Sequence, residues 1–367
     1  MKVCFISLTA YSYFNPSLGT TFGGAQRQLY LLSKEMKSDM SISFIVGDYG
    51  QPTVETRDGV PLYAAYRPNS NANLLERGQQ MRRLYSAIRS ADADIYVFRG
   101  HPQKAAITYL LTTLADRSWV YNLANDSNVG RDIDQLSYPL RVLLNRAISN
   151  AEQIIAQTDY QRQQLLERFG VDAQVVPNGY PVASDQLSYS NRSGFVWIGR
   201  LNKEQKRPHL YLDLADRIPD KDFSIIGSSD NDPQYYEQIR DRARSMENVE
   251  FIGEVSPEGV HQHYRESKAL INTSDYEGFP NTFLESWRQG TPVVSYSVDT
   301  SRYIEISHPG YCNESFDCLV KKSKAVSSNQ KVWEKHSIPA REYFESNYSI
   351  GSTALMYKNA LLNGHTK

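Results

Sequence analysis

The sequence predicts an α/β protein made of two parallel-sheet domains, and three observations lead to that class. The chain has 367 residues, more than one ordinary domain holds and comfortable for two. Short apolar runs alternate with stretches of helical periodicity, the pattern of a parallel sheet covered by helices on both faces. The alternation breaks at a polar, aperiodic stretch, residues 184–193, and then restarts. A linker placed there gives a first domain of residues 1–185 and a second of residues 186–345.

In the first domain, residues 3–8, 43–47, 95–98, 119–122 and 153–156 read as strands. Helices are expected over 26–37, 74–90, 104–115 and 138–150. Thr158 and Gln161 have capping-box spacing, so another helix starts there and runs to about Arg168. Val175-Val176 followed by Pro177-Asn178-Gly179 closes this half as strand and turn. In the second domain, strands are expected at 194–198, 223–226, 249–252, 269–272 and 292–295, with helices at 209–217, 234–246 and 281–289. The tail, 325–362, reads as mostly helical. Two such halves predict a cleft as the default ligand site.

Composition removes several function classes. A net charge of -1 gives no electrostatic footprint for nucleic acid. Cys4, Cys312 and Cys318 lack metal-ligand spacing, and an odd count points to idle, reduced thiols and a cytoplasmic location, with a Cys312–Cys318 pair as the alternative. The opening run Met1–Leu8 is too short for a signal peptide and reads as a buried first strand. No stretch approaches the roughly 20 apolar residues of a membrane span, which leaves peripheral contact at the inner membrane face open.

Four constellations carry chemistry. Gly19 and Gly23-Gly24 precede a helix; adjacent glycines let backbone approach a ligand, and a helix N-terminus favours an anion, although taken alone a structural turn explains them better. The spacing is not that of a dinucleotide fingerprint. Gly199-Arg200-Leu201 and Lys206 follow the first strand of the second domain. Two cations there suit a diphosphate that gains charge as it leaves, against the plain reading of a solvated surface. Lys203 and Arg207 are assigned to that surface.

Glu277 and Glu285 bracket Gly278-Phe279-Pro280-Asn281-Thr282. Glu285 is placed in the first turn of a helix, where the dipole favours a carboxylate. Glu277 sits in a loop beside a glycine and has no such reason. A carboxylate accepts from two hydroxyls at once, which fits a sugar diol, and the amides of Phe279 to Thr282 suit a phosphate. An acid/base pair of the glycosidase kind is less apt, because a nucleoside diphosphate already leaves easily. Finally, Arg99-Gly100-His101 and Asn125-Asp126-Ser127 end two strands of the first domain. His101 is a candidate for holding an acceptor or phosphate. Asp126 is a candidate for taking a proton or orienting a hydroxyl, beside the plain reading of both as cap or turn residues.

Together these residues resemble the retaining glycosyltransferases of family GT4, which have the GT-B fold of two Rossmann-like domains. The matching pieces are Gly199-Arg200-Leu201 with Lys206, Val249-Glu250-Phe251-Ile252-Gly253, Glu277-Gly278-Phe279-Pro280 through Glu285, and Gly290-Thr291-Pro292-Val293-Val294. They cover about residues 195–295. Gly23-Gly24, Gln157-Thr158 and Pro177-Asn178-Gly179 match more loosely in the first half.

The resemblance implies a nucleotide-sugar donor bound by the second domain, with Arg200 and Lys206 on its diphosphate and Glu285 on its ribose. Glu277 would contact the donor sugar, and Phe279, Pro280, Asn281 and Thr282 would touch sugar and phosphate through backbone. Gly199 belongs to the same motif. Ile252 and Gly253 would meet the base, and Gly24 would approach the donor phosphate. It implies a sugar or lipid-linked acceptor, no cofactor and no metal, retention assisted by the departing phosphate, and a final helix, about 346–362, returning to the first domain. The chain departs from many relatives in lacking a histidine after the strand at 119–122; Asn125, Asp126 or His101 stands in its place. Transfer in polysaccharide or glycolipid assembly is the leading reading. A nucleotide-sugar 2-epimerase of the same fold and a catalytically silent sugar-nucleotide-binding protein are the alternatives.

Overall fold

The computed structural model of the chain describes all residues except 19–22, 70, 71, 231, 257, 258, 306–309, 366 and 367. The chain divides into two compact units, Met1–Gly179 with Ile350–Lys367, and Tyr180–Ser349.

The first unit holds strands β1 (Lys2–Ile6), β2 (Ser41–Val46), β3 (Val54–Arg57), β4 (Val60–Ala64), β5 (Ile95–Arg99), β6 (Ser118–Asn122), β7 (Gln153–Ala156) and β8 (Gln174–Val175). Their order in the sheet is β3-β4-β2-β1-β5-β6-β7-β8. All neighbours are parallel except β3 and β4. The central strands read as unbroken apolar runs because both faces are covered. Alternate residues point to opposite faces. Cys4, Ile6, Tyr96 and Phe98 therefore enter one core layer, and Val3, Phe5, Ile95 and Val97 enter the other. The second layer also contains Tyr357 and Leu361 of the helix Ile350–His365, whose Tyr357 hydroxyl accepts from Asn122 Nδ2 at 2.9 Å.

The hairpin β3–β4 has no counterpart in the sequence reading. It turns at Asp58-Gly59, both with positive φ (52° and 76°), the geometry that favours an Asp-Gly pair in a two-residue hairpin loop. The expected cap at Thr158 is present: its side chain accepts from Gln161 N at 3.2 Å and opens the helix Asp159–Phe169.

The second unit holds β9 (Ser193–Ile198), β10 (Phe223–Ile226), β11 (Val249–Gly253), β12 (Ser267–Asn272) and β13 (Val293–Ser295), in the order β11-β10-β9-β12-β13. Every neighbouring pair is parallel, so all five carboxyl ends lie along one edge.

The polar stretch at 184–193 is not a linker. Arg192 is 4% exposed and donates to the carbonyls of Leu187 and Gln289 and to Thr291 Oγ1. Its guanidinium lies 5.1 Å from the Trp333 ring. Tyr189 donates to Ser327 O at 2.7 Å and lies under the Lys268 ammonium. These anchors make the segment part of the second unit, which begins at Tyr180, where backbone N donates to Tyr348 O. The tail is also more divided than the sequence indicated. It forms three helices, Phe316–Ser328, Gln330–Asn347 and Ile350–His365, and the last belongs to the first unit. Cys4, Cys312 and Cys318 are free thiols, with Cys312 Sγ and Cys318 Sγ 2.9 Å apart.

Candidate functional site

In the second unit, β9 lies between β10 and β12, so the strand order reverses at β9. Open parallel sheets bind ligands beyond the carboxyl ends of their strands at such a point. Two glycines bring the chain together there. Gly199 N donates to Ile226 O, and Gly227 N donates to Gly253 O at 2.8 Å. A Cβ on Gly227 would come within 1.8 Å of Gly199 O, so no larger residue fits without moving the backbone. Gly253 ends β11 at φ +82°, in the region that favours glycine. Ile252 is half-buried beside it.

The loop after β12 supplies the acid. Glu277 Oε1 accepts from Lys206 Nζ at 2.5 Å and from Ser274 Oγ at 2.7 Å. Asn272 Nδ2 donates to Ser274 Oγ, and Asn272 Oδ1 accepts from Ser295 Oγ, so a chain of polar side chains runs from β13 to the carboxylate. The side chains of Lys206 and Glu277 are only 21% and 9% exposed, which keeps the pair partly out of water. Thr273, fully buried, accepts from Trp197 Nε1 and donates to Lys206 O at 2.8 Å. The lysine backbone is thereby fixed as firmly as its ammonium.

The expectation for Arg207 is overturned. It is a tie between three loops: Nε donates to Thr273 O at 3.0 Å, one Nη to Ser297 Oγ, and the guanidinium pairs with Asp275 and lies 5.4 Å from the Tyr296 ring. It holds φ +49° at the start of the helix Pro208–Arg217, an uncommon backbone for a residue with a side chain, offset by these contacts. Lys203 is exposed, as the sequence reading had it. Arg200 does not share Lys206's partner. Its side chain is 73% exposed and reaches toward Asp230 at 3.5 Å; Asp230 also accepts from Asn202.

Glu285 lies in the second turn of the helix Asn281–Arg288, not the first, so the dipole does not account for it. The helix starts where the sequence places it, at Asn281 after Pro280, and Glu285 is its fifth residue, one turn beyond the amino-terminal N–H groups. Glu285 is 7% exposed and accepts from the buried Tyr264 hydroxyl at 3.2 Å. The loop between the two glutamates rests on aromatic rings. Phe279 packs edge-on against Tyr303 and Tyr348, and the Tyr303 hydroxyl donates to Gly278 O at 3.3 Å. Asn281 and Thr282 form the first helical residues, half-buried. Ser274, Asp230, Gly227, Tyr264 and Tyr303 are the participants sequence reasoning missed. Ser274 lies three residues before Glu277, just outside the quoted motif.

The first-unit candidates have structural duties. Asn125 caps the turn Asp126–Val129, accepting from Asn128 N, while Asp126 Oδ1 accepts from Gln161 Nε2 at 2.9 Å. His101 caps the helix Pro102–Leu114 through Nδ1, which accepts from Gln103 N. Gly24 is the first residue of the helix Gly24–Met36, with Gly23 extended before it; Gly19 lies outside the described residues. Among the described residues, no group of three or more His, Cys, Asp or Glu side chains is placed to hold a metal ion.

Comparison with known proteins decides the family. The family described as "Glycosyl transferases group 1" matches residues 192–327, and "Glycosyl transferase 4-like domain" matches residues 23–179, between them most of the chain. The chain belongs to the group 1 glycosyltransferases. The phosphatidyl-myo-inositol mannosyltransferase of Mycobacterium leprae is 28% identical over 170 residues, covering 42% of this chain and 44% of that relative. The mannosylfructose-phosphate synthase of Agrobacterium fabrum is 28% identical over 171 residues, covering 40% and 37%. The matches therefore span less than half the length of these curated relatives.

Solved structures of other glycosyltransferases share the GT-B fold of this group 1 chain along nearly its whole length. The sucrose-phosphate synthase of Thermosynechococcus elongatus superposes with TM-score 0.75 at 15% identity, covering 98% of each chain. HepE of Anabaena, solved with UDP-glucose, gives 0.73 at 14%, covering 99% of each. Among the described residues of this glycosyltransferase, no helix is long and apolar enough to cross a membrane.

Proposed function

We propose that the chain is a retaining, cytoplasmic hexosyltransferase. It takes the sugar from a nucleoside-diphosphate sugar held by the unit Tyr180–Ser349 and passes it to an acceptor hydroxyl in polysaccharide or glycolipid assembly. The observation that carries this reading is the Lys206–Glu277 contact of 2.5 Å at the point where the sheet order reverses. The bond to be broken joins the anomeric carbon to a phosphate oxygen. A cation beside a carboxylate suits the two groups flanking that bond: the ammonium the phosphate, the carboxylate the sugar hydroxyls.

Arg200, on its exposed tether after β9, would add a second cation to the diphosphate, and Glu285 would accept from the ribose hydroxyls. The base would lie near Ile252 and Gly253, and the backbone of Phe279 to Thr282 would contact sugar and phosphate. The acceptor oxygen attacks the anomeric carbon on the face the diphosphate leaves. Its proton passes to the departing phosphate oxygen as the old carbon–oxygen bond breaks and the new one forms. Glu277 is held by Lys206 and Ser274, an arrangement suited to positioning hydroxyls rather than to covalent attack. No step calls for a metal or cofactor.

Incubation with UDP-glucose, UDP-galactose or GDP-mannose, with and without a mixed acceptor fraction, tests the reading. Sugar transfer that requires acceptor supports it. Conversion of the donor sugar without acceptor marks an epimerase, and thermal stabilisation by donor with no turnover in either condition marks a silent binding protein; either result sinks the proposal.

A further inference from the structure

Cys312 and Cys318 meet across a tight turn at the edge of the second unit's sheet. Tyr311 forms a parallel bridge with Ser295 of β13, and Cys312 N and Glu314 N donate to Ser295 O and Tyr296 O at 2.9 and 2.8 Å. Asn313 and Glu314 follow each other at φ +48° and +60°, two successive left-handed conformations that are uncommon in residues with side chains. The Tyr311 hydroxyl steadies the first of them by donating to Asn313 Oδ1 at 2.8 Å. The chain thereby doubles back. Ser315 N donates to Cys312 O, and Ser315 Oγ accepts from Cys318 N and opens the helix Phe316–Ser328. The two sulfurs end 2.9 Å apart. We propose that this pair closes to a reversible disulfide when the chain meets hydrogen peroxide, a redox lock on the edge of the sheet that carries the candidate site.

The two thiols are not equivalent. Cys312 is 4% exposed, and burial, with the Cys318 sulfur beside it, pushes its thiol well above the ordinary range. Cys318 is only half-buried. Lys322, one turn further along the helix, donates from Nζ to Tyr311 O at 2.6 Å, which sets a positive charge beside the pair. The first attack therefore falls to Cys318. Its sulfur takes one peroxide oxygen as the O–O bond breaks, and the thiol proton leaves with the other oxygen as water, giving a sulfenic acid. The Cys312 sulfur then attacks the Cys318 sulfur. The S–S bond forms as the S–O bond breaks, and the departing hydroxide takes the Cys312 proton as a second water. Both sulfurs are oxidised and both peroxide oxygens reduced, and a dithiol reductant reverses the change.

The lock reaches the candidate site through Ser295. Its carbonyl holds Cys312, and its hydroxyl donates to Asn272, where the polar chain through Ser274 to Glu277 begins. The remaining thiol, Cys4, is fully buried in the first unit and stays reduced. The proposal stands on the cysteine turn and holds whether or not the chain transfers sugars.

Mass measurement and peptide mapping of the full chain after treatment with hydrogen peroxide at neutral pH test the proposal. Wild type should become about 2 Da lighter, with Cys312 and Cys318 in one linked peptide, and dithiothreitol should restore the starting mass. The oxidised chain should melt roughly 4–8 °C above the reduced one, because the closed loop restricts the unfolded chain. Cys318→Ser should show neither change. Cys312→Ser leaves Cys318 without a resolving thiol, so the Cys318 peptide should gain about 32 Da as a sulfinic acid. If Cys312→Ser does not fold, wild type and Cys318→Ser decide the matter between them. All three thiols surviving peroxide in wild type, a sulfinic acid at Cys318 in place of the link, a link between two chains, or an unchanged melting temperature would each overturn the proposal.

Discussion

Replacing Glu277 by Gln removes one charge and almost no volume. In wild type that carboxylate accepts from Lys206 Nζ at 2.5 Å and Ser274 Oγ at 2.7 Å. Losing the charge leaves Lys206, 21% exposed, facing a neutral amide. A hydrogen bond to a charged group contributes about 1.5–3 kcal/mol, and residual solvent access to the lysine lowers this, so the variant should lose about 1–2 kcal/mol of stability. The effect on transfer should be larger. Two charge-assisted bonds to sugar hydroxyls, at about 1.5 kcal/mol each, correspond to roughly a 10²-fold fall in kcat/KM. Urea unfolding of both proteins at pH 7 gives the first quantity. Initial rates with the nucleotide-sugar that stabilises wild type most give the second. A variant with an unchanged urea midpoint and more than a third of wild-type kcat/KM would refute the assignment of Glu277.

Three further outcomes follow from the same geometry. Gly227→Ala puts a Cβ 1.8 Å from Gly199 O; the loop after β9 must shift, and nucleotide-sugar should lose its stabilising effect in a thermal melt, whereas a wild-type response would show that the loop has slack. Tyr264→Phe removes the hydroxyl that Glu285 accepts from, costing about 1–2 kcal/mol and weakening nucleotide affinity several-fold by calorimetry; unchanged affinity would separate Glu285 from ribose binding. Burial, with Arg192 and Lys221 nearby, pushes the Lys268 ammonium down to about 8 from 10.5. Above pH 8 the unfolded chain then holds a proton the folded one has lost, so this site's contribution to stability rises with pH until 10.5 is passed. Urea midpoints at pH 7 to 10 should show wild type gaining on Lys268→Met above pH 8, and a constant difference would contradict it.

The candidate site of the second unit could be outlined from sequence because its residues lie close together along the chain. Gly199, Arg200 and Lys206 lie within eight positions, and Glu277 and Glu285 within nine, so spacing alone joins each group to one strand end. The strands were legible because the central ones are apolar on both faces. β3 was not: Val-Glu-Thr-Arg at a sheet edge is mostly exposed and carries no apolar run. Among Lys203, Lys206 and Arg207, sequence cannot say which cation turns inward. The structure puts Lys206 on Glu277 and Arg207 on the loops behind it, because Asp275, Ser297 and Tyr296 arrive from two other strand ends.

Arg192 shows why a polar, aperiodic stretch misleads. An arginine there is read as solvated, since an interior charge ordinarily needs a carboxylate. Here the carbonyls of Leu187 and Gln289 and the Thr291 hydroxyl accept its hydrogens, and Trp333 covers its face. Burial, with Arg265 and Arg341 nearby, lowers its pKa to about 10, so it stays charged at neutral pH. Leu187 is a neighbour in sequence, but Gln289 and Thr291 lie 97 and 99 residues further along the chain, beyond any window of sequence. The Thr291 hydroxyl that accepts from Arg192 also donates to the Tyr264 carbonyl, and Tyr264 in turn donates to Glu285. The segment that reads as a linker thus reaches the candidate carboxylate Glu285 through Arg192, Thr291 and Tyr264, all buried, which ties the integrity of the candidate site to a residue outside every motif.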